Sequence, residues 1–192
     1  MNLKDAKTKK YIIGATIAAA VIGVGVFTSA QIDFARNVHV SVVSTLSNLK
    51  ENILEDKDLL LEIEKEVKET ESEESKFSQM ESQIKKIKDA DCFDDSKINE
   101  NIAMFDNFNK ELDKIMTLYN NNSAVDEDIL LVNKREEVKM LNNFVDEMMF
   151  EYNNDYLPEF NKRIATFPAS IYANSQDWNK VNEFKSIDMN KK

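Results

Sequence analysis

Apolar residues fall into two regimes along this chain. From Tyr11 to Thr28, eighteen residues pass without a charge, and all three glycines of the chain (Gly14, Gly23 and Gly25) lie among them. As a helix rising ~1.5 Å per residue, that run is ~27 Å long, enough to cross the hydrocarbon of a bilayer. From Ile32 onward a seam repeats every seven residues. Ile32, Leu46, Ile53, Leu60 and Val67 hold one heptad position, and Ala35, Val42, Leu49 and Ile63 hold the other. That is the period of a helix packed against other helices in a bundle or coiled coil. His39 and Asp56 are the polar intrusions into the seam.

Glu69 to Ser75 is nearly all acidic or hydroxyl, suiting a loop or an exposed helical turn, and Phe77, Met80, Ile84 and Ile87 then resume the stride. The pattern predicts one long helix, kinked at the acidic stretch and ending near Asp89. Ala90 to Ser96 is a predicted turn, with Ser96 as N-cap of the next helix. That helix carries Ile98, Phe105, Phe108, Leu112, Ile115 and Tyr119 on one face and stops at Asn120-Asn121-Asn122, a run that favours turns. Ser123 followed by Asp126 opens a third helix with a start like a capping box, its seam being Leu131, Val138, Leu141, Val145, Met148 and Tyr152. Pro158 cannot donate to the carbonyl of Asn154, so a kink or bulge is expected there. Phe160, Ile164 and Phe167 continue the face, and Pro168 suits the first turn of a short final helix. Trp178, Val181 and Phe184 add an apolar edge sufficient to dock the tail.

The expected fold is therefore all-α: an N-terminal transmembrane helix, then an elongated antiparallel up-down bundle of three long helices and a short fourth. The division is a basic tail (1–10), a transmembrane helix (11–28), a helical bundle (29–173), and a C-terminal short helix and tail (174–192). Composition agrees. Three glycines and two prolines in 192 residues, against about 13 and 10 at average usage, leave few turns and hence long elements.

Charge adds direction. Residues 1–28 hold four lysines and one aspartate, a net of +3, so the remaining residues carry −13 of the chain's −10. So acidic a domain repels nucleic acid and anionic headgroups, and no nucleic-acid partner is expected. The four lysines before the span, against Arg36 alone closely after it, put the tail in the cytoplasm and the domain outside. A cleaved signal peptide is the competing reading, with Thr28-Ser29-Ala30 as its cleavage site. Ala19 and Gly23 form a small-xxx-small pair, read as plain lipid-facing residues, though a homo-oligomer stays open. The lone cysteine, Cys92, cannot form an intrachain disulfide and reads as a small apolar residue near a helix end.

Candidate chemistry is sparse. The only histidine, His39, has Ala35 and Val43 four residues to either side, so no metal ligand accompanies it at helical spacing. Glu62, Glu66, Glu69 and Glu73 share related helical faces, but a di-iron bundle needs Glu-x-x-His pairs. Interleaved Lys57, Lys65 and Lys68 make a self-paired solvated surface the expectation. Tyr152, Tyr156, Phe160 and Phe167, at helical spacing, read as core. No catalytic, metal or cofactor-binding residue is expected.

Tyr152-Asn153, Phe160-Asn161-Lys162-Arg163-Ile164, and Phe167-Pro168-Ala169-Ser170-Ile171 with Ala173 resemble the carboxyl-terminal signature of the LemA family. Asp58-Leu59-Leu60, Ile63 and Val67-Lys68 are similar to a second family patch. Tyr152 and Phe160 stand eight residues apart, where the family spacing is seven. The resemblance implies a plasma- or inner-membrane protein with a helical domain, cytoplasmic in many members, and brings no catalytic residues. Tyr152, Asn153, Phe160, Asn161, Ile164, Phe167, Pro168, Ala173, Asp58 and Leu59 then have structural roles, with Phe167 anchored in the core and Pro168 starting a helix. The expected function is a non-enzymatic, single-pass membrane scaffold at the cell envelope. It would contact the lipid bilayer through residues 11–28 and protein partners of unknown identity. The alternatives are an extracytoplasmic sensory or ligand-binding bundle, and a secreted helical protein released near Ala30.

Overall fold

The computed structural model describes residues 3–70, 79–120 and 129–186, and their side-chain surroundings over 16–66, 79–118 and 132–186. Every element among them is helical. α1 runs Leu3–Glu55, α2 Lys57–Thr70, α3 Met80–Asp89, α4 Ile98–Asn120, α5 Ile129–Glu151, α6 Leu157–Ile164 and α7 Ala169–Ser175. A 3₁₀ turn, Asp95–Lys97, precedes α4, and a π-helical turn, Tyr152–Tyr156, joins α5 to α6. The acidic stretch Glu71–Ser75, Phe77 and the Ser123/Asp126 helix start lie outside the described residues, as do the side chains of Val67, Tyr119 and Leu131.

α1 changes character along its length. Ile17, Val21, Ile22, Val24, Val26 and Phe27 are each 57–67 % exposed, and a Cβ added at Gly23 or Gly25 would meet nothing. This segment is long and apolar enough to cross a membrane. Seven residues after Thr28, Ala35 is fully buried, and Val42, Leu46, Leu49 and Ile53 follow it into the core. The helix does not break between the two regimes.

The single helix predicted to run to near Asp89 is instead interrupted at Asp56, α1 ending at Glu55 and α2 starting at Lys57; the kink predicted at the acidic stretch lies outside the described residues. Asp56 occupies a heptad position that its neighbours fill with Leu49 and Ile63. Burial, then the charges of Glu55 and Glu137, push its carboxyl pKa upward. An aspartate is a poor helix former and its carboxyl cannot fill the seam as Leu49 and Ile63 do, and the chain bends there. Leu60 N–H still reaches the Asp56 carbonyl at 3.0 Å, and Leu60 and Ile63 of α2 return to the core.

One core cluster draws on all seven α-helices and the π turn. α1 supplies Leu46, Leu49 and Ile53, α3 supplies Ile84 and Ile87, and α4 supplies Phe105, Phe108 and Leu112. α5 contributes Val138, Leu141, Val145 and Met149. The predicted Met148 is only half-buried. An α-helix turns every 3.6 residues, so a strict heptad drifts and the adjacent Met149 faces inward. The turn before α4 is pinned to α1: Lys50 donates to the Ala90 carbonyl (2.6 Å) and buried Cys92 to the Leu46 carbonyl (3.6 Å). Its cap is Asp94, which accepts from Ser96 N–H at 3.0 Å, and not Ser96 as the sequence suggested.

Candidate binding site: a clamped carboxyl-terminal segment

Pro158 produces the expected bulge, with a consequence for the family-like residues. The Leu157 amide bonds to the Tyr152 carbonyl, five residues back, so the turn 152–156 holds one residue more than an α turn. Eight residues at ~100° each would swing Phe160 about 80° away from Tyr152. Absorbing one residue in the π turn cancels the swing, and Tyr152 and Phe160 are both buried, at 0 % and 1 % exposed. The asparagines that follow them, Asn153 and Asn161, likewise come to face the same neighbour.

That neighbour is the tail. α7 is the short helix that Pro168 predicted, and beyond it the chain runs without helix through residues 178–186. Its backbone is satisfied by side chains. Asn161 donates to the Val181 carbonyl (2.9 Å) and accepts from Val181 N–H (3.0 Å). Asn153 does the same for Phe184, at 2.8 and 2.9 Å. From α4, Asn99 donates to the Lys180 carbonyl (3.1 Å) and accepts from Asn182 N–H (2.7 Å). The Tyr152 hydroxyl donates to the Asn182 carbonyl at 3.0 Å, and Asp106 accepts from Lys185 N–H and Ser186 N–H. Amide side chains carry both a donor and an acceptor, so each asparagine can imitate a neighbouring strand. Backbone groups that would be costly to bury unpaired are paired without a sheet.

Apolar side chains complete the attachment. Val181 and Phe184 are buried, and the Phe184 ring meets Tyr152 edge-on with centroids 4.9 Å apart. Trp178 stacks on His39 (4.2 Å between centroids, 9° between planes). The Asp95 carboxylate joins the pair, one oxygen 2.7 Å from His39 Nε2 and the other accepting from Trp178 Nε1 at 3.0 Å. His39, read from the sequence only as a polar intrusion into the seam, is thus a junction between α1, the turn before α4 and the tail.

Electrostatics follow the same contacts. Burial would raise the Asp106 carboxyl, but hydrogen bonds from Ser186, Lys110 and Lys185 outweigh it and hold the group below its ordinary value. Burial pushes the Tyr152 phenol and the Cys92 thiol upward. Asn109 of α4, fully buried, donates to Asp146 (2.9 Å) and to the Ser186 hydroxyl (3.3 Å), while its Oδ1 has no hydrogen-bond partner.

The other sequence candidates divide. Ile164 and Ala173 are buried as expected. Leu59 is partly buried against the core, and Asp58 is exposed. Phe167 is 71 % exposed and anchors nothing in the core. Pro168 is buried in its place, at the N-cap of α7. The chain reverses between α6 and α7, so the periodic face that pointed to Phe167 ends with α6. Glu62 and Glu66 pair across helices with Lys134 of α5, at 2.7 and 2.8 Å, a partner on another element from the lysines expected. Glu69 and Glu73 lie outside the described side chains. A recess of about 500 Å³ between α3 and α4 is lined by polar and charged groups such as Gln83, Lys110 and Asp113, a solvated hollow lacking the apolar walls of a small-molecule pocket. No three metal-binding side chains converge among the described residues. In comparisons with known proteins, no protein family, no curated protein and no solved structure matches this chain.

Proposed function

We propose that this is a single-pass membrane protein of LemA type, whose helical domain is a non-enzymatic scaffold held at a fixed attitude to the bilayer. One observation carries the reading: α1 passes without interruption from its exposed apolar segment into the core, Ala35 onward. A hinge-free helix transmits orientation, which suits a platform for other proteins better than a tethered enzyme does. Four lysines at the amino end favour an extracytoplasmic domain. The helices are proposed to stack as an elongated antiparallel up-down bundle, consistent with α4 packing on both α3 and α5. For the LemA relation, the support is that each aromatic–asparagine pair has a shared physical task, the aromatic ring in the core and the amide on the tail.

Alkaline carbonate extraction of membranes tests the anchor. The full chain is expected to stay with the membrane, and a chain lacking residues 1–28 to be soluble and folded. Release of the full chain would overturn the proposal. Digestion of the domain by external protease in intact cells checks the side. A mature amino terminus near residue 30 would instead favour the secreted form.

A further inference from the structure

The exposed Phe167 and Ile171 have a common location. α6 runs down α1 toward the apolar segment: Phe160 lies beside His39, centroids 5.8 Å apart, whereas Arg163 donates to Gln31 (2.6 Å) and covers the Phe34 ring at 4.5 Å. α7 climbs back, with Tyr172 accepting from Arg36 (2.9 Å) and Trp178 returning to His39. The corner between the two helices, residues 165–168, therefore lies, among the described residues of the domain, next to the apolar segment. Gln31 stands only three residues past Thr28, roughly 5 Å along the helix, and Thr28 itself is half-buried. The headgroup layer on each face of a bilayer is about 5–7 Å deep, so a bilayer around the apolar segment meets this corner.

Resting on the anchor reading above, we propose that the α6–α7 corner is a second membrane contact, with Phe167 and Ile171 seated in the lipid headgroup region. Their exposures, 71 % and 64 %, are those of side chains left in water, and the adjoining lipid interface is the environment at hand that removes that exposure. Arg36 and Arg163 each lie over an aromatic ring while paired with Asp33 (3.5 Å) and Glu159 (2.6 Å), and with the exposed Lys162 they make a rim of aromatic rings and mixed charge that suits zwitterionic headgroups. Single exposed apolar residues are ordinary; the position of these two is what argues for lipid. Phe93 is exposed to the same degree, at 72 %, yet its neighbour Cys92 bonds to Leu46, roughly 27 Å above Thr28.

The contact fixes the domain by two points, the continuous helix and the corner. The test places a nitroxide, by Phe167→Cys, Ile171→Cys, Phe93→Cys or Val24→Cys, in the full chain in phosphatidylcholine liposomes. Buried Cys92 stays in place, and the unsubstituted chain serves as its labelling control. Collision rates with dissolved oxygen and with a water-soluble nickel chelate report depth. The ratio of oxygen to nickel accessibility is expected to be severalfold higher at 167 and 171 than at 93, and highest at 24. A lipid-like value at 24 with water-like values at 167 and 171 overturns the corner contact and leaves the anchor standing. A water-like value at 24 overturns the anchor, and the corner contact with it.

Discussion

If Asn153 holds the tail as an artificial strand would, Asn153→Ala should loosen one identifiable amide that belongs to no helix. The substitution removes the bond to the Phe184 carbonyl (2.8 Å) and the bond from Phe184 N–H (2.9 Å). Each neutral bond contributes about 1 kcal/mol net, and stranding a partly buried partner costs about 1–3 kcal/mol. Phe184 is 2 % exposed, so water replaces the lost partner poorly. The expected loss is about 2–3 kcal/mol in the local opening of the tail, or roughly a 30- to 150-fold faster exchange of the Phe184 amide. Hydrogen exchange of the full chain in detergent, read amide by amide, measures this directly. The neighbouring Asn154→Ala, which removes an exposed side chain bonded to the Phe150 carbonyl, should change Phe184 exchange by less than about 0.5 kcal/mol. Truncation after Asp177 should erase most of the stability cost of Asn153→Ala, because the interaction is pairwise. Unchanged exchange at Phe184, or an equal cost with and without the tail, would refute the clamp.

Deleting Asp155, exposed within the π turn, together with Pro158→Ala should be tolerated, since without the proline the helix can regularise and Tyr152 keeps its alignment with Phe160. Deleting the exposed Glu147 of α5 instead should unfold the domain by rotating the seam about 100°, as circular dichroism melting would report. Phe160→Ala should cost about 3–5 kcal/mol from its cavity, whereas Phe167→Ser should stay within about 0.5 kcal/mol, the two compared by denaturant unfolding in detergent. Asp106 has a depressed carboxyl pKa, so its contribution is present above the unfolded value near ~3.9 and is lost as pH falls through the lower folded value. The Lys185 and Ser186 amide resonances should move in that acid range, and Asp106→Asn should abolish the movement.

Reading the chain alone goes far for anything periodic. Helix content, the exposed apolar segment, the seam residues Leu46, Leu49 and Ile53, and the bulge demanded by Pro158 all follow from local stereochemistry and from the hydrophobic stripe. Phe167 shows where that logic stops. Periodicity assumes that the helix continues, and a reversal after Ile164 turns the next apolar position outward. His39 and Asp56 show a second limit. Both interrupt the same seam, yet one is joined to Asp95 and Trp178 while the other bends the chain, and the partners 56 and 139 residues away decide which.

The aromatic–asparagine pairs mark the boundary most sharply. A tyrosine or phenylalanine beside an asparagine is visible in the sequence, and burial of the ring can be inferred from spacing. The asparagine's task cannot, because a side-chain amide is equally content with water or with a backbone. It acquires a role only when α4, the π turn and a non-helical tail converge around it. Local pattern thus determined the helices and the segment apolar enough for a membrane. Tertiary structure alone decided which polar groups lose their water, and so which of them hold the protein together.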